Sequence, residues 1–206
     1  MNEVTELVPA GKGKLGVVLD GKTAFVLYKT ELRRLGIAEG TVLSEEELKA
    51  ILKDILYPRA VNRLLYLLGS RDMTRSELYD KLKDGKYPPE VCDMAIKKME
   101  EYGYVNDSSY ARRYVECYIE RKSVGRIRAE LYKKGISREL ADEAIADCDS
   151  TDRRQDRERL LIKELLEKRH YDPAVKDERE KQKHFAYLFR RGFKSEDIMA
   201  VMFDLT

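Results

Sequence analysis

Residues 127–140, IRAELYKKGISREL, decide the fold: an apolar residue four before a leucine (Ile127, Leu131), two lysines (Lys133, Lys134), Gly135 and Ile136, then Ser137 and Leu140 opening a second amphipathic run. Apolar residues four apart share one helix face, a glycine just past the last of them ends the helix, and a serine starts another. The same phrase returns at 184–198, HFAYLFRRGFKSEDI, and more loosely at 78–91, LYDKLKDGKYPPEV. From Leu82 to Leu131 to Leu188 the copies recur about every fifty residues, the period of a helical repeat protein. Such proteins usually bind partners along an extended surface rather than enclose a reaction.

Working outward, the sequence divides into three three-helix repeats, 57–106, 107–150 and 151–206. In the first, Val61, Leu64, Leu65 and Leu68 form a stripe that Gly69 ends, and Pro88-Pro89-Glu90 opens a helix with Val91, Ala95, Ile96 and Met99 inward. Thr74-Arg75-Ser76-Glu77 reads as a capping box between them, in which hydroxyl and carboxylate each satisfy an orphaned backbone N–H. The second repeat starts from Asp107 as N-cap and runs through Tyr110, Tyr114, Val115 and Tyr118, then helices over 125–134 and 138–146. The polar run 150–159 reads as a hinge or an exposed helix start; beyond it Leu161, Leu165 and Leu166 share a helix, followed by helices over 177–191 and 196–203. Helices this short are marginal alone, so stability must come from packing of helix on helix and repeat on repeat. The expected product is an elongated, mainly α array whose repeats pivot against each other.

Residues 1–56 differ. Val4–Val8, Leu15–Leu19 and Ala24–Tyr28 have strand character, and Asp20-Gly21 suits a type I′ turn, so a β-hairpin within a three-stranded meander is expected. A short helix over 30–35 stops at Gly36. Ser44-Glu45-Glu46-Glu47 is a second capping box, with Leu43 and Leu48 as a hydrophobic staple; Pro58 marks a break or a new helix start.

Forty basic residues against 38 acidic leave a net charge of only +2, so any basic surface must come from local segregation. No run approaches the roughly twenty apolar residues of a membrane span, and the N-terminus lacks a signal core, which points to the cytoplasm and to no membrane partner. Cys92, Cys117 and Cys148 are odd in number and each falls in a helical pattern, so buried reduced thiols are expected. There is no GxxxxGK[ST] loop and no GxSxG elbow, and neither His170 nor His184 has a metal-type companion at i+4. Glu77, Glu130 and Glu139 read as helix-start or surface charges. No enzyme, cofactor or metal is expected.

Positive charge is informative by position. Arg112, Arg113, Arg121, Lys122, Arg126, Arg128, Lys133 and Lys134 stand against only Glu116, Glu120 and Glu130, after which Glu139, Asp142, Glu143, Asp147 and Asp149 reverse the sign. These eight basic residues are the candidate surface for phosphates or an acidic protein, where arginine's planar fork pairs bidentately. A second cluster, Arg153, Arg154, Arg157 and Arg159, is diluted by acids and reads as a solvated helix; Tyr102 and Tyr104 read as packing between repeats.

Arg75-Ser76-Glu77-Leu78 to Leu82, Tyr102-Gly103-Tyr104-Val105-Asn106-Asp107 with Tyr110-Ala111, and Gly125-Arg126-Ile127-Arg128-Ala129-Glu130-Leu131 with Lys134-Gly135-Ile136 also carry a resemblance. This ordered set resembles the RecX family, bacterial regulators of the RecA recombinase, most specifically between Arg71 and Ile145. The resemblance implies a monomeric array of three three-helix repeats lying in the groove of the RecA–DNA filament. It implies limits on filament growth, ATP hydrolysis, strand exchange and co-protease activity, hence roles in DNA repair, recombination and the SOS response, with weaker direct binding of DNA. It brings no catalytic residues; its basic positions map onto Arg112, Arg113, Arg126, Arg128, Lys133 and Lys134. A stand-alone DNA-binding module and an adaptor for another acidic partner are the alternatives, and near-neutral charge weighs against tight autonomous DNA binding.

Overall fold

The structure, a computed structural model, describes residues 2–148, 151–173 and 177–204, with the backbone alone for 151–153. Asp149, Ser150 and the Arg153 side chain, which belong to the runs above, lie outside the described residues. The chain forms two compact units, Met1–Asn106 and Asp107–Thr206.

The first unit opens with the meander β1 (Asn2–Pro9), β2 (Lys14–Leu19) and β3 (Lys22–Tyr28), all antiparallel. Asp20 and Gly21 both take positive φ, 48° and 78°, as the type I′ turn requires. Helix α1 (Lys29–Leu35) follows, its Glu31 carboxylate accepting the Tyr28 N–H at 2.7 Å, and ends at Gly36. A fourth strand, β4 (Val42–Leu43), pairs with β1 to give the order β3-β2-β1-β4. The sequence reading missed it because two residues are too few for alternation to register.

Ser44 caps α2 (Glu45–Ala50): its hydroxyl accepts the Glu47 N–H at 3.1 Å, its own N–H reaches the Glu47 carboxylate at 2.8 Å, and buried Leu43 and half-buried Leu48 join one core. The helix then widens into a π turn over Ile51–Leu56 and continues as α3 (Tyr57–Leu68). The Tyr57 N–H reaches back five residues to the Leu52 carbonyl. That wider turn admits Pro58, which has no N–H to give and whose ring would strike a carbonyl four residues back, so the expected break is a change of pitch. Ala60 and Leu64 are buried, whereas Leu65 of the expected stripe faces out. Thr74 caps α4 (Arg75–Asp84) with the expected box to Glu77, and α5 (Pro89–Glu101) buries Val91, Ala95, Ile96 and Met99 as expected, with Cys92. One core runs from Val4, Val17, Phe25 and Leu27 of the sheet through Ile51 and Leu56 to Leu64, Leu78, Leu82 and Met99. Each fully buried aliphatic side chain here contributes about 1.5–3 kcal/mol. Tyr102 and Tyr104 are more than half exposed and form an edge-to-face pair with centroids 6.2 Å apart, so they are not the packing residues expected; buried Val105 takes that place in the core.

The second unit holds α6 (Asp107–Tyr118), α7 (Val124–Lys133), α8 (Arg138–Cys148), α9 (Thr151–Lys168), α10 (Glu178–Arg190) and α11 (Ser195–Asp204). Asp107, the expected N-cap, is instead the first helical residue. Two small cores form, one around Ala111, Val115, Ile127, Leu131 and Ile145, the other around Ile162, Leu166, Leu188, Ile198 and Val201. Of the cysteines only Cys92 is buried; Cys117 is exposed and Cys148 intermediate, and all three are free thiols.

The repeated phrase folds the same way three times. Five residues past each leucine a backbone N–H returns to that leucine's carbonyl: Tyr87 to Leu82 at 3.2 Å, Ile136 to Leu131 at 3.1 Å and Phe193 to Leu188 at 3.4 Å. This helix ending needs one left-handed residue, and Gly135 and Gly192 supply it at φ 78° and 86°. In the first copy the glycine stands one place early, and Lys86 occupies the left-handed position at φ 61°. A non-glycine residue there costs about 1 kcal/mol.

Candidate partner surface

The eight basic residues lie on α6, α7 and the segments that follow them. Ser123 caps α7, its Oγ accepting the Arg126 N–H at 3.1 Å, and the buried face of the helix carries Val124, Ile127 and Leu131. Arg126 and Arg128 flank Ile127 and point away from the core, 42% and 36% exposed, as the periodicity requires. Arg113, Arg121 and Lys133 are exposed as well.

Folding largely cancels the charge division seen along the sequence. Asp147 of α8 pairs with Arg112 at 2.5 Å, and Asp142 takes Arg128 at 2.7 Å and Arg138 at 3.6 Å. Glu130 is the hub of the surface rather than the solvated charge expected. It accepts from Lys122 at 2.7 Å, from Arg126 at 3.0 Å and from the Tyr114 hydroxyl at 2.6 Å. Burial alone would raise its carboxyl, but the hydrogen bonds from Lys122, Tyr114 and Arg126 outweigh it and hold the pKa at about 2. Tyr114 is pushed up in turn, by burial first and then by its bond to Glu130. Tyr110, Tyr114 and Tyr118 form a ladder along α6, with Lys122 Nζ 3.7 Å from the Tyr118 ring centre and Lys134 Nζ 5.4 Å from that of Tyr110. Lys122 thus braces the surface from a half-buried position. Arg121 and Lys133 make no ion pair among the described residues.

The described part of the second arginine cluster is not the solvated helix expected, and the run reads as a helix start rather than a hinge, α9 beginning at Thr151 with Gln155 and Asp156 exposed. The cluster's described part is a polar clamp between α9 and the preceding repeat. Arg157, 10% exposed, donates to the Ile119 carbonyl; Glu158, 8% exposed, accepts the Val124 N–H at 2.8 Å and so caps α7 from outside its own repeat. Arg159 reaches buried Asp197 at 3.5 Å. Alongside, the Ser123 hydroxyl donates to the Arg191 carbonyl at 2.5 Å, and Gly125 meets Gly192 backbone to backbone. A Cβ on Gly125 would lie 2.3 Å from the Gly192 carbonyl oxygen. The expected pivot between these two repeats is therefore closed. Gly125 read in the sequence only as the start of a helix, and nothing there paired it with Gly192.

Among the described residues no three His, Cys, Asp or Glu side chains gather as a metal would need, and no helix is long and apolar enough to cross a membrane. His184 is buried, edge-on to Tyr171 at 5.1 Å, and burial, then Arg169, lower its pKa. Cys92 is pushed up to about 11 by burial and then Asp93, which leaves an inert thiol.

Comparison with known proteins matches residues 60–99, 106–145 and 160–202 to the first, second and third three-helix domains of RecX. The regulatory protein RecX of Caldanaerobacter subterraneus subsp. tengcongensis is 31% identical over 197 residues, 95% of each chain. That of Clostridioides difficile is 29% identical over 92% of this chain and 88% of its own. A crystal structure of regulatory protein RecX superposes with a TM-score of 0.61 at 26% identity over 98% of both chains, and RecX from Lactobacillus salivarius with 0.58 at 25% identity over 72% of this chain and 96% of that one.

Proposed function

The chain belongs to the RecX family, and from that premise we propose that it is a non-enzymatic regulator of the RecA recombinase that binds in the groove of the RecA–DNA filament. In this reading it works as a cytoplasmic monomer, limiting filament growth, ATP hydrolysis and strand exchange in DNA repair, recombination and the SOS response, and it binds DNA more weakly than the filament. Residues 1–56 form an N-terminal extension, and 57–106, 107–150 and 151–206 the repeats. The observation that carries the proposal is the ordered match of all three three-helix domains on one chain.

The geometry supports a filament more than naked DNA as the partner of the middle repeat. Arg112, Arg126 and Arg128 already hold carboxylates, so each must exchange one acidic partner for another, a step suited to an acidic protein surface. Arg121 and Lys133 contact the partner without that exchange, Arg113 and Lys134 extend the surface, and Lys122 supports it. Several modest contacts on tethered repeats combine into useful affinity when all engage together.

Cosedimentation with RecA filaments assembled on single-stranded DNA tests the surface. Arg121→Glu with Lys133→Glu should weaken retention about tenfold at unchanged helix content, since opposite charges replace two contacts. Arg126→Glu with Arg128→Glu is the less clean pair, because it sets new carboxylates beside Glu130 and Asp142. Full retention of the Arg121/Lys133 variant removes this surface from the account.

A further inference from the structure

Between the sheet and the first repeat the first unit encloses an open cleft of about 710 Å³, which the RecA reading leaves unused. Five basic side chains line it, from three separate places in the chain: Lys14 of β2, Arg59 and Arg63 of α3, and Lys81 and Lys86 at the end of α4. One carboxylate, Asp84, stands against them. Arg59 is already committed, bonded to Glu31 and to the Val26 carbonyl. Lys14, Arg63, Lys81 and Lys86 form no ion pair among the described residues. That is the reverse of the middle repeat, where Arg112, Lys122, Arg126 and Arg128 are internally paired.

Three features give the cleft a built character. The Tyr28 ring holds Lys14 Nζ at 4.9 Å and the Arg59 guanidinium at 4.8 Å from its centre, which fixes two of the cations on the wall. At the lip, Lys86 takes the left-handed backbone position that Gly135 and Gly192 fill in the sister copies. Glycine has been displaced to Gly85, where a Cβ would press on the Tyr87 ring at 3.0 Å, and a strained lysine retained where its ammonium lines the cleft. Backbone strain that the fold could relieve with glycine, and does not, points to a use for the side chain. Finally, Tyr66 stands 74% exposed one helical turn beyond Asn62 on the same face of α3, with the Arg63 guanidinium 5.8 Å from its ring centre.

Resting on the weak DNA binding proposed above, we propose that its site is this cleft between the sheet and the first repeat, which takes the sugar-phosphate backbone of a single strand, with Lys14, Arg63, Lys81 and Lys86 on phosphates and Tyr66 stacking on a base at its mouth. Cations spaced around a groove, with an exposed aromatic at its edge, match how single strands are held without sequence readout. An acidic protein would want an apolar anchor, but the aliphatic residues that line the cleft, Val26 and Leu56, are 7% and 1% exposed, and the Tyr28 ring is already taken by Lys14 and Arg59.

The test is fluorescence anisotropy of a labelled oligothymidylate with the full chain, without RecA, across a salt series. Arg63→Glu with Lys81→Glu should weaken binding about tenfold or more and flatten the salt dependence, because each lost phosphate contact removes about 0.7 from the slope on single strands. Lys86→Gly should raise the thermal midpoint while weakening binding about two- to threefold, a combination that damage to the fold cannot give. Tyr66→Ala should weaken binding at unchanged salt slope. Lys168→Ala, at an exposed lysine paired with Glu164 and outside both surfaces, should bind the oligonucleotide as the unaltered chain does, and filament retention of the Arg121/Lys133 variant is read separately, so failure here and failure of the RecA reading appear in different variants. Unchanged binding by the Arg63/Lys81 pair overturns the proposal. So does polyglutamate competing as well as the oligonucleotide, which would assign the cleft to an acidic protein.

Discussion

Gly125 shows how much one hydrogen atom in place of a methyl can decide. In a helix, alanine is ordinarily favoured over glycine by about 1 kcal/mol. Here the methyl would overlap the Gly192 carbonyl, so Gly125→Ala should lose about 2–4 kcal/mol. Gly103→Ala meets nothing within 4 Å and suffers only its positive φ of 74°, about 1 kcal/mol. Urea denaturation of both variants ranks them, and a Gly125→Ala chain as stable as the parent would mean the two backbones do not touch. Glu130 makes a parallel case in charge. Its pKa falls from 4.5 unfolded to about 2 folded, so the unfolded chain binds more protons between those values. The stability it confers is complete above about pH 5 and is lost as the pH falls through about 2, on the order of 2–3 kcal/mol. Glu130→Gln should flatten the dependence of the thermal midpoint on pH over that window; an equally steep decline in the variant would place the acid sensitivity elsewhere.

At the scale of elements, the sequence displayed what local chemistry controls. The Asp20-Gly21 hairpin, the capping boxes at Ser44 and Thr74 and the inward face of α5 were legible because each depends on residues a few positions apart. Strand β4 escaped because it is two residues long and pairs with Asn2 and Glu3 at the other end of the region, and the π turn because Pro58 signals a disturbed helix without saying of which kind. The eight-residue basic surface was legible as a charge run, but its internal neutralisation was not, since Asp142 and Asp147 are brought to Arg128 and Arg112 only by the folding of α8. The polar start of α9 was the largest misreading: a charged run looks solvated in sequence, and only the fold shows that Arg157 and Glu158 are buried. This clamp makes a prediction of its own. Glu158→Ala leaves Arg157 and the Val124 N–H without their carboxylate in a dry place, and should cost about 3 kcal/mol. Glu164→Ala, on the exposed side of the same helix in a pair with Lys168, should cost less than about 0.5 kcal/mol. Equal losses in thermal unfolding would deny the clamp.

At the scale of the molecule, the two units keep separate cores and different charge arrangements. The sheet and the first repeat share a single core, so removing residues 1–56 would take Val4, Phe25, Leu27, Ile51 and Leu56 out of it. Roles for the N-terminal region are therefore better sought with surface variants than by truncation. In the second unit, Gly125, Ser123 and Glu158 bind two repeats into one compact body that presents the basic surface as a fixed shape. A fixed shape reduces the ordering cost of binding the partner proposed above. The most direct measurement is a titration of RecA's DNA-dependent ATPase with the full chain. The account predicts slowing at sub-stoichiometric protein, with the Arg121→Glu and Lys133→Glu variant displaced to higher concentration. An unchanged rate at equimolar protein would contradict it.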